Sequence, residues 1–447
     1  MSRKIAAAGI AVAMLALSAC SSGGSATGTS SSSGSETGGS ITFRLWDEQA
    51  AKAYKEALPA FEKETGITVN IETVPWADYW TTLRNDIAAG SAPDVFWTNS
   101  SNYDDYAKAG KLLNIDEAIP SDQRDGWLQA AIDQFTVDGT LYGVPALTDS
   151  GIGVFYNKEL LDKAGVTVDE LKDLAWDPNA DTDTLREITE KLTVDSNGKT
   201  AADSGFEADK TVQYGYNAAL DTQAIYLNFL GSNGAEYQDK DGLLNFDTTE
   251  GVQAFQYIVD LINKYHVAPS AADTNDNGDF SRDQFLQGKL ALFQTGSYNL
   301  AIIKDGADFE WGIVELPKGP AGRISVTNSV VAAGSADSQN AAAQKKFLEW
   351  IGGTEGASAL GKTGVGLPAN TKVQETWTTY WSGQGVDVSP LVDVLSEGTI
   401  GAPFGAKIQG AMEAQDDVLK EVFLGRTDVE EGVAAAQKAG NAVIKDE

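Results

Sequence analysis

Two periods alternate along the chain from residue 41 onward. Ile41-Thr42-Phe43-Arg44-Leu45 alternates as a half-buried strand does, and Ala50, Ala53, Tyr54, Ala57 and Phe61 then recur at helical spacing until Gly66 ends them. Ile67-Thr68-Val69-Asn70-Ile71 predicts a second strand, Tyr79 to Ala89 a second helix stopped by Gly90, and Asp94-Val95-Phe96-Trp97 a third strand. A β-α-β-α-β series calls for a mostly parallel sheet with helices on both faces. Asp138-Gly139 between apolar runs predicts a hairpin. Farther on, Val252, Phe255, Val259 and Ile262 mark a long helix, and short strands are predicted at Leu290 to Phe293, Trp311 to Glu315 and Val326 to Val331. Asp177 to Lys210 is polar and reads as an insertion holding one helix near Leu185 to Leu192. The pattern is α/β twice over, with no repeat of solenoid length.

The first residues obey a different logic. Arg3 and Lys4 precede an almost wholly apolar run from Ile5 to Leu17, too short to span a bilayer, and small residues come after it. Residues 1–19 therefore read as an export signal. Leu17-Ser18-Ala19-Cys20 resembles the bacterial lipobox, in which the chain is cut before the cysteine and the thiol receives a lipid; Cys20 is the only cysteine present. Residues 20–40 then form a lipidated Gly/Ser/Thr tether with an end-to-end distance of about 25 Å if it behaves as a flexible coil. The expected location is the outer face of the bacterial cytoplasmic membrane.

Composition removes whole classes of function. Asp plus Glu number 64 against 33 Lys plus Arg, a net charge of −31 over 447 residues, which repels nucleic-acid backbones. One His (His266) and one Cys exclude a His-rich metal site, a zinc ribbon and an intrachain disulfide. Gly356-Ala357-Ser358-Ala359-Leu360-Gly361-Lys362-Thr363 matches the spacing of a phosphate-binding loop, but such a loop leaves a buried strand, whereas Ala341 to Ile351 reads as a helix. Asp273-Thr274-Asn275-Asp276-Asn277-Gly278-Asp279 resembles half a calcium loop whose twelfth position is Gln284 in place of the closing Glu. No motif selects a pair of carboxylates for glycoside hydrolysis. Neither an enzyme nor a cofactor is indicated.

What remains is a constellation at the predicted strand ends: Trp46-Asp47-Glu48 after the first, Trp76 with Asp78 and Tyr79 after the second, Trp97-Thr98-Asn99 after the third. In open α/β sheets ligands bind at those carboxyl ends. Indole and phenol rings offer flat apolar faces that suit the C–H faces of a sugar, while Asp, Glu and Asn meet its hydroxyls.

At this point the residues carry a family resemblance. Phe61-Glu62-Lys63-Glu64-Thr65-Gly66-Ile67, Ala88-Ala89-Gly90-Ser91-Ala92-Pro93-Asp94-Val95, Ala109-Gly110-Lys111-Leu112, Asp138-Gly139-Thr140-Leu141-Tyr142-Gly143-Val144-Pro145 and Phe155-Tyr156-Asn157-Lys158 occur in that order. Phe285-Leu286-Gln287-Gly288-Lys289-Leu290-Ala291, Gly296-Ser297 and Gly366-Leu367-Pro368 come later. Together they resemble the family 1 extracellular solute-binding proteins of ABC importers, of the maltose-binding type, over nearly all of Ile41 to Glu447; the acidic insertion at Asp177 to Lys210 departs from the family pattern.

The resemblance implies a Venus-flytrap fold of two lobes, each a mostly parallel sheet flanked by helices. The lobes would comprise residues 41–148 with 310–355 and residues 149–309 with 356–447, the chain crossing near Ala146 to Ile152, Phe309 to Val314 and Thr354 to Gly361. It implies a monomer that binds a carbohydrate and docks on permease subunits, with another polar solute (a polyol, sugar phosphate or polyamine) or a surface glycoside hydrolase as alternatives. Carried over position by position, the ligand contacts would be Asp47, Glu48, Trp97, Asn99 and Asp149 or Ser150, with Asp221, Gln223, Tyr298 and Asn299 from the second lobe. Trp76 and Trp311 are added on position, and Phe404 is the counterpart of a late aromatic.

Overall fold

The computed structural model describes residues 38–180 and 183–446, so Cys20 and the export signal lie outside the described residues. In chain order the elements that position the site are β1 (Gly39–Leu45), α1 (Glu48–Thr65), β2 (Ile67–Thr73), α2 (Trp76–Ala89), β3 (Val95–Asn99), α3 (Ser100–Lys108), β4 (Gly143–Thr148) and β5 (Ile152–Asn157). After them come α4 (Thr184–Leu192), α5 (Thr249–Asn263), β6 (Leu292–Gly296), β7 (Trp311–Glu315), β8 (Ser329–Gly334), α6 (Ala341–Gly352), α7 (Thr354–Lys362), β9 (Leu367–Pro368), α8 (Ile408–Phe423) and α9 (Val429–Lys445). The predicted hairpin is present: Thr136-Val137 pairs with Thr140-Leu141 across Asp138 and Gly139, both at positive φ. The predicted helix in the insertion is α4.

The first helix shows how local sequence sets these elements. Asp47 accepts a hydrogen bond from the Ala50 N–H at 2.7 Å and caps α1, and Gly66 closes it at φ 71°, where a side chain would be strained. Between the caps Ala50, Ala53, Tyr54, Leu58 and Phe61 make one buried stripe. The second helix begins at Trp76 and not at Tyr79, because Pro75, extended at φ −55° and ψ 147°, sits immediately before its first turn. That earlier start places Trp76 and Trp80 one turn apart on one face.

The cores define two lobes. One core gathers Ile41 to Ala146 with Val331 to Ala333 and Ala343 to Leu360; the second lobe's main core gathers Ile152 to Val326 with Val394 to Ala436, and a smaller one is built on Phe155, Phe285, Trp377, Trp381 and Leu391. The first lobe carries a six-stranded sheet in the order β9-β4-β8-β3-β1-β2. Its β2-β1-β3 part is parallel, as the β-α-β-α-β pattern requires, while β8 runs antiparallel to both β3 and β4. In the second lobe β5 lies between β6 and β7, antiparallel to each, so strand direction there differs from the mostly parallel sheet implied by the resemblance. The chain between β5 and β6 runs through several helices, α4 and α5 among them, so this antiparallel pairing joins strands far apart in sequence.

The crossings also sit elsewhere in part. The first passage from one core to the other is at Asp149-Ser150-Gly151 between β4 and β5; Gly151 has φ 81°, and a Cβ on it would lie 2.7 Å from the Leu391 carbonyl oxygen. The second is at Asn328 rather than Phe309 to Val314. The stretch 311–315 is β7, paired with β5 inside the second lobe, and the single strand predicted over Val326 to Val331 is broken at Asn328 into Ser325–Thr327 and β8, which belong to different lobes. The third lies between Asn370, whose side-chain amide still donates to Gly352 in the first lobe, and Leu391, which packs in the second; Trp377 and Trp381 between them reach back to the Gly364 carbonyl at 3.2 and 3.0 Å. Thr354 to Gly361 is α7, held in the first lobe through Ala359 and Leu360. Residues 310–326 therefore pack with the second lobe and 356–368 with the first, opposite to the assignment implied by the resemblance.

Candidate functional site

Parallel pairing of β2, β1 and β3 brings their carboxyl ends to one edge, and the aromatic residues just beyond them meet there. Trp46 is the hub. Its ring lies 5.3 Å from Trp76, 5.1 Å from Tyr79, 5.4 Å from Trp80 and 5.2 Å from Trp97, mostly edge to face, and Trp76 and Trp80 touch each other at 5.2 Å. Within this cluster Trp76 is 53% exposed, whereas Trp97 is 1% exposed. Trp76 is thus the ring of the cluster that is open to solvent, and Trp97 is a core residue packed against Trp46. Trp97, expected as a stacking platform, is a buried ring here because β3 is covered on both faces.

The polar candidates of the first lobe are partly engaged. Asp47 spends one oxygen on the Ala50 amide, and burial pushes its carboxyl above the usual range while the amides at Ala50 and Gln49 oppose that. Glu48 is exposed in the first turn of α1, where a negative charge suits the helix N-terminus. Asn99 accepts from the Asn102 side-chain amide at 3.1 Å and is buried.

A second group gathers at the first crossing. Gln223 Nε2 donates to Asp149 Oδ2 at 2.7 Å. Burial pushes the Asp149 carboxyl up to about 7, the Gln223 hydrogen bond working against it. Ser150, next to it, is fully buried, and its hydroxyl has no hydrogen-bond partner among the described residues. Asp221 caps the turn that carries Gln223, accepting from the Ala224 N–H at 2.8 Å, and burial raises its carboxyl too. Tyr298 completes the group. Burial raises its phenol far above the usual range, and the Asp221 and Asp149 carboxylates facing it raise it further. The residue as a whole is 41% exposed, and its ring lies over Gly296, where a Cβ would come within 2.4 Å of it.

Two expected contacts are not brought in. Asn299 donates to Thr295 Oγ1 at 2.8 Å, a bond local to its own turn. Trp311 pairs with Asn157 at the far end of β5 from Asp149 and packs near Phe155, because β7 is a strand of the second lobe and not a crossing. Two residues that sequence reasoning missed stand among these groups. Trp80 completes the aromatic wall, and its i+4 spacing from Trp76 was the available signal. Asn328 accepts from the Gln134 amide at 3.1 Å through its side chain and from the Asp149 N–H at 2.8 Å through its carbonyl, tying the first crossing to the second. Phe404, the expected late aromatic, is 42% exposed and exchanges two hydrogen bonds with the Gln238 side chain on the second lobe, three residues before Lys407, which touches the first lobe.

The decoys resolve into ordinary structure. Gly356 to Lys362 lies within α7, which comes after α6 and not after a strand. Asp276 of the calcium-like stretch is bonded to Lys420 at 2.7 Å, and no group of His, Cys, Asp and Glu among the described residues is arranged to hold a metal ion. A polar depression of about 400 Å³ between α4 and α5 is lined by none of the candidate residues. No helix among the described residues is long and apolar enough to cross a membrane.

This fold and this edge have known counterparts. Residues 46–358 match the family described as bacterial extracellular solute-binding protein. The chain is 47% identical to M. tuberculosis UspC, whose crystal structure aligns with a TM-score of 0.74 over 90% of this chain and 100% of that one. The substrate-binding protein Lmo0181 of Listeria monocytogenes, solved with cycloalternan, shares the fold at TM-score 0.79 and 22% identity, over 91% of this chain and 99% of that one. Among curated proteins, a maltooligosaccharide ABC transporter solute-binding lipoprotein of Streptococcus pneumoniae is 25% identical over 86% of this chain and 84% of its own length.

Proposed function

The chain belongs to the bacterial extracellular solute-binding proteins, and from that premise we propose that it captures a sugar or oligosaccharide between its lobes and delivers it to the permease of an ABC importer. One observation carries the choice of ligand: an exposed indole, Trp76, braced by Trp46 and Trp80 at the strand ends, in a fold whose first crossing carries the Asp149–Gln223–Asp221–Tyr298 group. Flat apolar rings beside half-buried amide and carboxyl groups complement a molecule with C–H faces and a rim of hydroxyls. The sugars in the names of the relatives support the same class.

The reading is one of binding without bond making. Closure of the lobes on the sugar gives the permease a shape to recognise, and the differential affinity of sugar for the closed form drives it. Asp47, Glu48, Asn99, Ser150 and Tyr298 are the remaining contacts we assign to the ligand on the basis of the family pattern. The lipobox at Cys20, together with the word lipoprotein in the name of the Streptococcus relative, supports anchoring of a monomer at the outer face of the membrane. Calorimetry over a panel of mono- and oligosaccharides tests the proposal: a single class bound at micromolar level with no release of reducing ends supports it. Absence of binding across the panel, or steady hydrolysis, refutes it.

A further inference from the structure

Gln223 reaches Asp149 from an unusual piece of backbone. Thr222–Tyr226 is a π-turn, with the Tyr226 N–H bonded to the Asp221 carbonyl five residues back at 2.9 Å. One extra residue in a helical turn rotates the next turn by about 100° relative to an α-helix, so the π-turn decides where Gln223 stands relative to the helix after it. Such turns are rare, and here side chains hold the carbonyls of the turn.

The partners are side-chain amides. Gln294, on β6 and 0% exposed, donates from Nε2 to the Ala224 carbonyl at 2.6 Å, while its Oε1 accepts from the Tyr216 hydroxyl. Its own backbone is clamped by Asn217, which accepts from the Gln294 N–H at 2.7 Å and donates to the Gln294 carbonyl at 3.0 Å. Asn228 donates to the Gln223 and Ala224 carbonyls at 2.8 and 3.0 Å, and its Oδ1 accepts from the Val326 N–H at 2.9 Å, just before the second crossing. Gln294, Asn217 and Asn228 are all buried. A glutamine inside the apolar strand Leu292-Phe293-Gln294 costs desolvation that only specific hydrogen bonds offset.

We propose that Gln294 is a positioning residue for the ligand site: by holding the Ala224 carbonyl it locks the π-turn and so sets the Gln223 amide on Asp149. This deepens the sugar-binding reading and rests on it for its functional consequence, but its structural content is testable without any sugar. Because Gln223 donates to Asp149, loss of that contact raises the pH at which Asp149 titrates; Tyr298, which both Asp149 and Asp221 influence, is the other ionisable group facing it.

The experiment tracks the Asp149 carboxyl by carbon-13 NMR in the sugar-free protein. Gln223→Leu is expected to move its midpoint up, and Gln294→Leu and Gln294→Glu to move it the same way, with no further shift when Gln223→Leu and Gln294→Leu are combined. Tyr216→Phe, which removes only the bond to Gln294 Oε1, serves if those variants fail to fold and is expected to give a smaller upward shift. In binding, Gln294→Leu weakens the best sugar about tenfold, again without adding to Gln223→Leu. Variants that melt earlier but leave the Asp149 midpoint unmoved, or whose effects add to that of Gln223→Leu, overturn the proposal. Failure of the wild-type protein to bind any sugar removes the functional reading alone, since the titration still decides the role of Gln294.

Discussion

Lys407, at φ 62°, turns its backbone N–H onto the carboxylate of Asp105 and lies 3.1 Å from both oxygens. Asp105 is on α3, whose Tyr103 and Tyr106 pack in the first-lobe core, and Lys407 heads α8, whose Ile408 and Ala411 pack in the second. The bond therefore joins the lobes away from the three crossings, and it exists only while that side of the cleft is shut. A charged acceptor on the N-cap amide of a 16-residue helix also gains from the helix dipole.

For an exposed pair this contact is worth about 1 kcal/mol, which is about fivefold in a closing equilibrium. Asp105→Ala is expected to enlarge the radius of gyration of the sugar-free protein in X-ray scattering and to speed sugar dissociation about fivefold. Lys407→Gly keeps the amide and tolerates the left-handed backbone, so it is expected to behave as wild type in both measurements. Scattering and dissociation unchanged by Asp105→Ala would show that the clasp plays no part in closure.

Asp149 makes stability depend on pH in a defined direction. Its folded-state carboxyl is raised by burial to about 7, far above that of an unfolded chain, so between about pH 4 and 7 the folded state holds a proton that the unfolded state has lost. Stability consequently falls as pH rises through that window. Asp416, raised by burial to about 6, acts in the same sense. Urea unfolding of the wild type is expected to show lower stability at pH 7.5 than at pH 5, with Asp149 contributing at most about 3 kcal/mol. Asp149→Asn should flatten part of that slope and leave the share of Asp416. An equal slope in wild type and variant would mean that Asp149 is not raised.

How much of this was readable beforehand depends on whether the information is local. Gly66 and Gly90 end their helices where the apolar pattern stops, because a left-handed residue after an apolar stripe is a local signal. The strand ends were legible for the same reason, and they placed Trp46 and Trp76 at one edge of the sheet, where their rings meet at 5.3 Å. Burial was not legible: Trp97 sits two residues before the end of β3, where the sheet is covered on both sides, and alternation cannot distinguish such a position from a rim. Asp47 immediately before a helix carries the signature of a cap, and that role takes one of its oxygens whatever else it does. The break at Asn328 was invisible because Thr327-Asn328-Ser329 is only a short polar run between Val326 and Val330-Val331, and only the packing of the two halves on different cores separates them. Gln294 had the same problem in reverse, since its partners lie 70 to 78 residues away in sequence.

Anchoring is tested at Cys20. With no other cysteine in the chain, Cys20→Ser is expected to abolish lipid labelling and to release the protein into the soluble fraction or leave its signal uncut. Fractionation with radiolabelled fatty acid reads both. A serine variant that is still labelled and membrane-bound would refute the lipobox reading.

The two tryptophans of the aromatic wall should separate affinity from stability. Trp97 is 1% exposed against Trp46 and Tyr54, so Trp97→Ala opens a cavity in the first-lobe core and is expected to cost about 3 to 5 kcal/mol of stability. Its effect on binding then runs through Trp46, and affinity of the folded fraction should fall by only about threefold. Trp76, 53% exposed, has little core to lose: Trp76→Ala should leave the melting temperature within a few degrees of wild type. If a sugar stacks on this ring, its removal costs about 1 to 3 kcal/mol of binding, or about tenfold to a hundredfold in Kd. Melting curves and titrations of both variants, done side by side, decide between a wall that holds the fold and a wall that holds the solute. If Trp97→Ala loses affinity without losing stability while Trp76→Ala does the reverse, the ring that meets the ligand has been misidentified and the sugar lies deeper against β3.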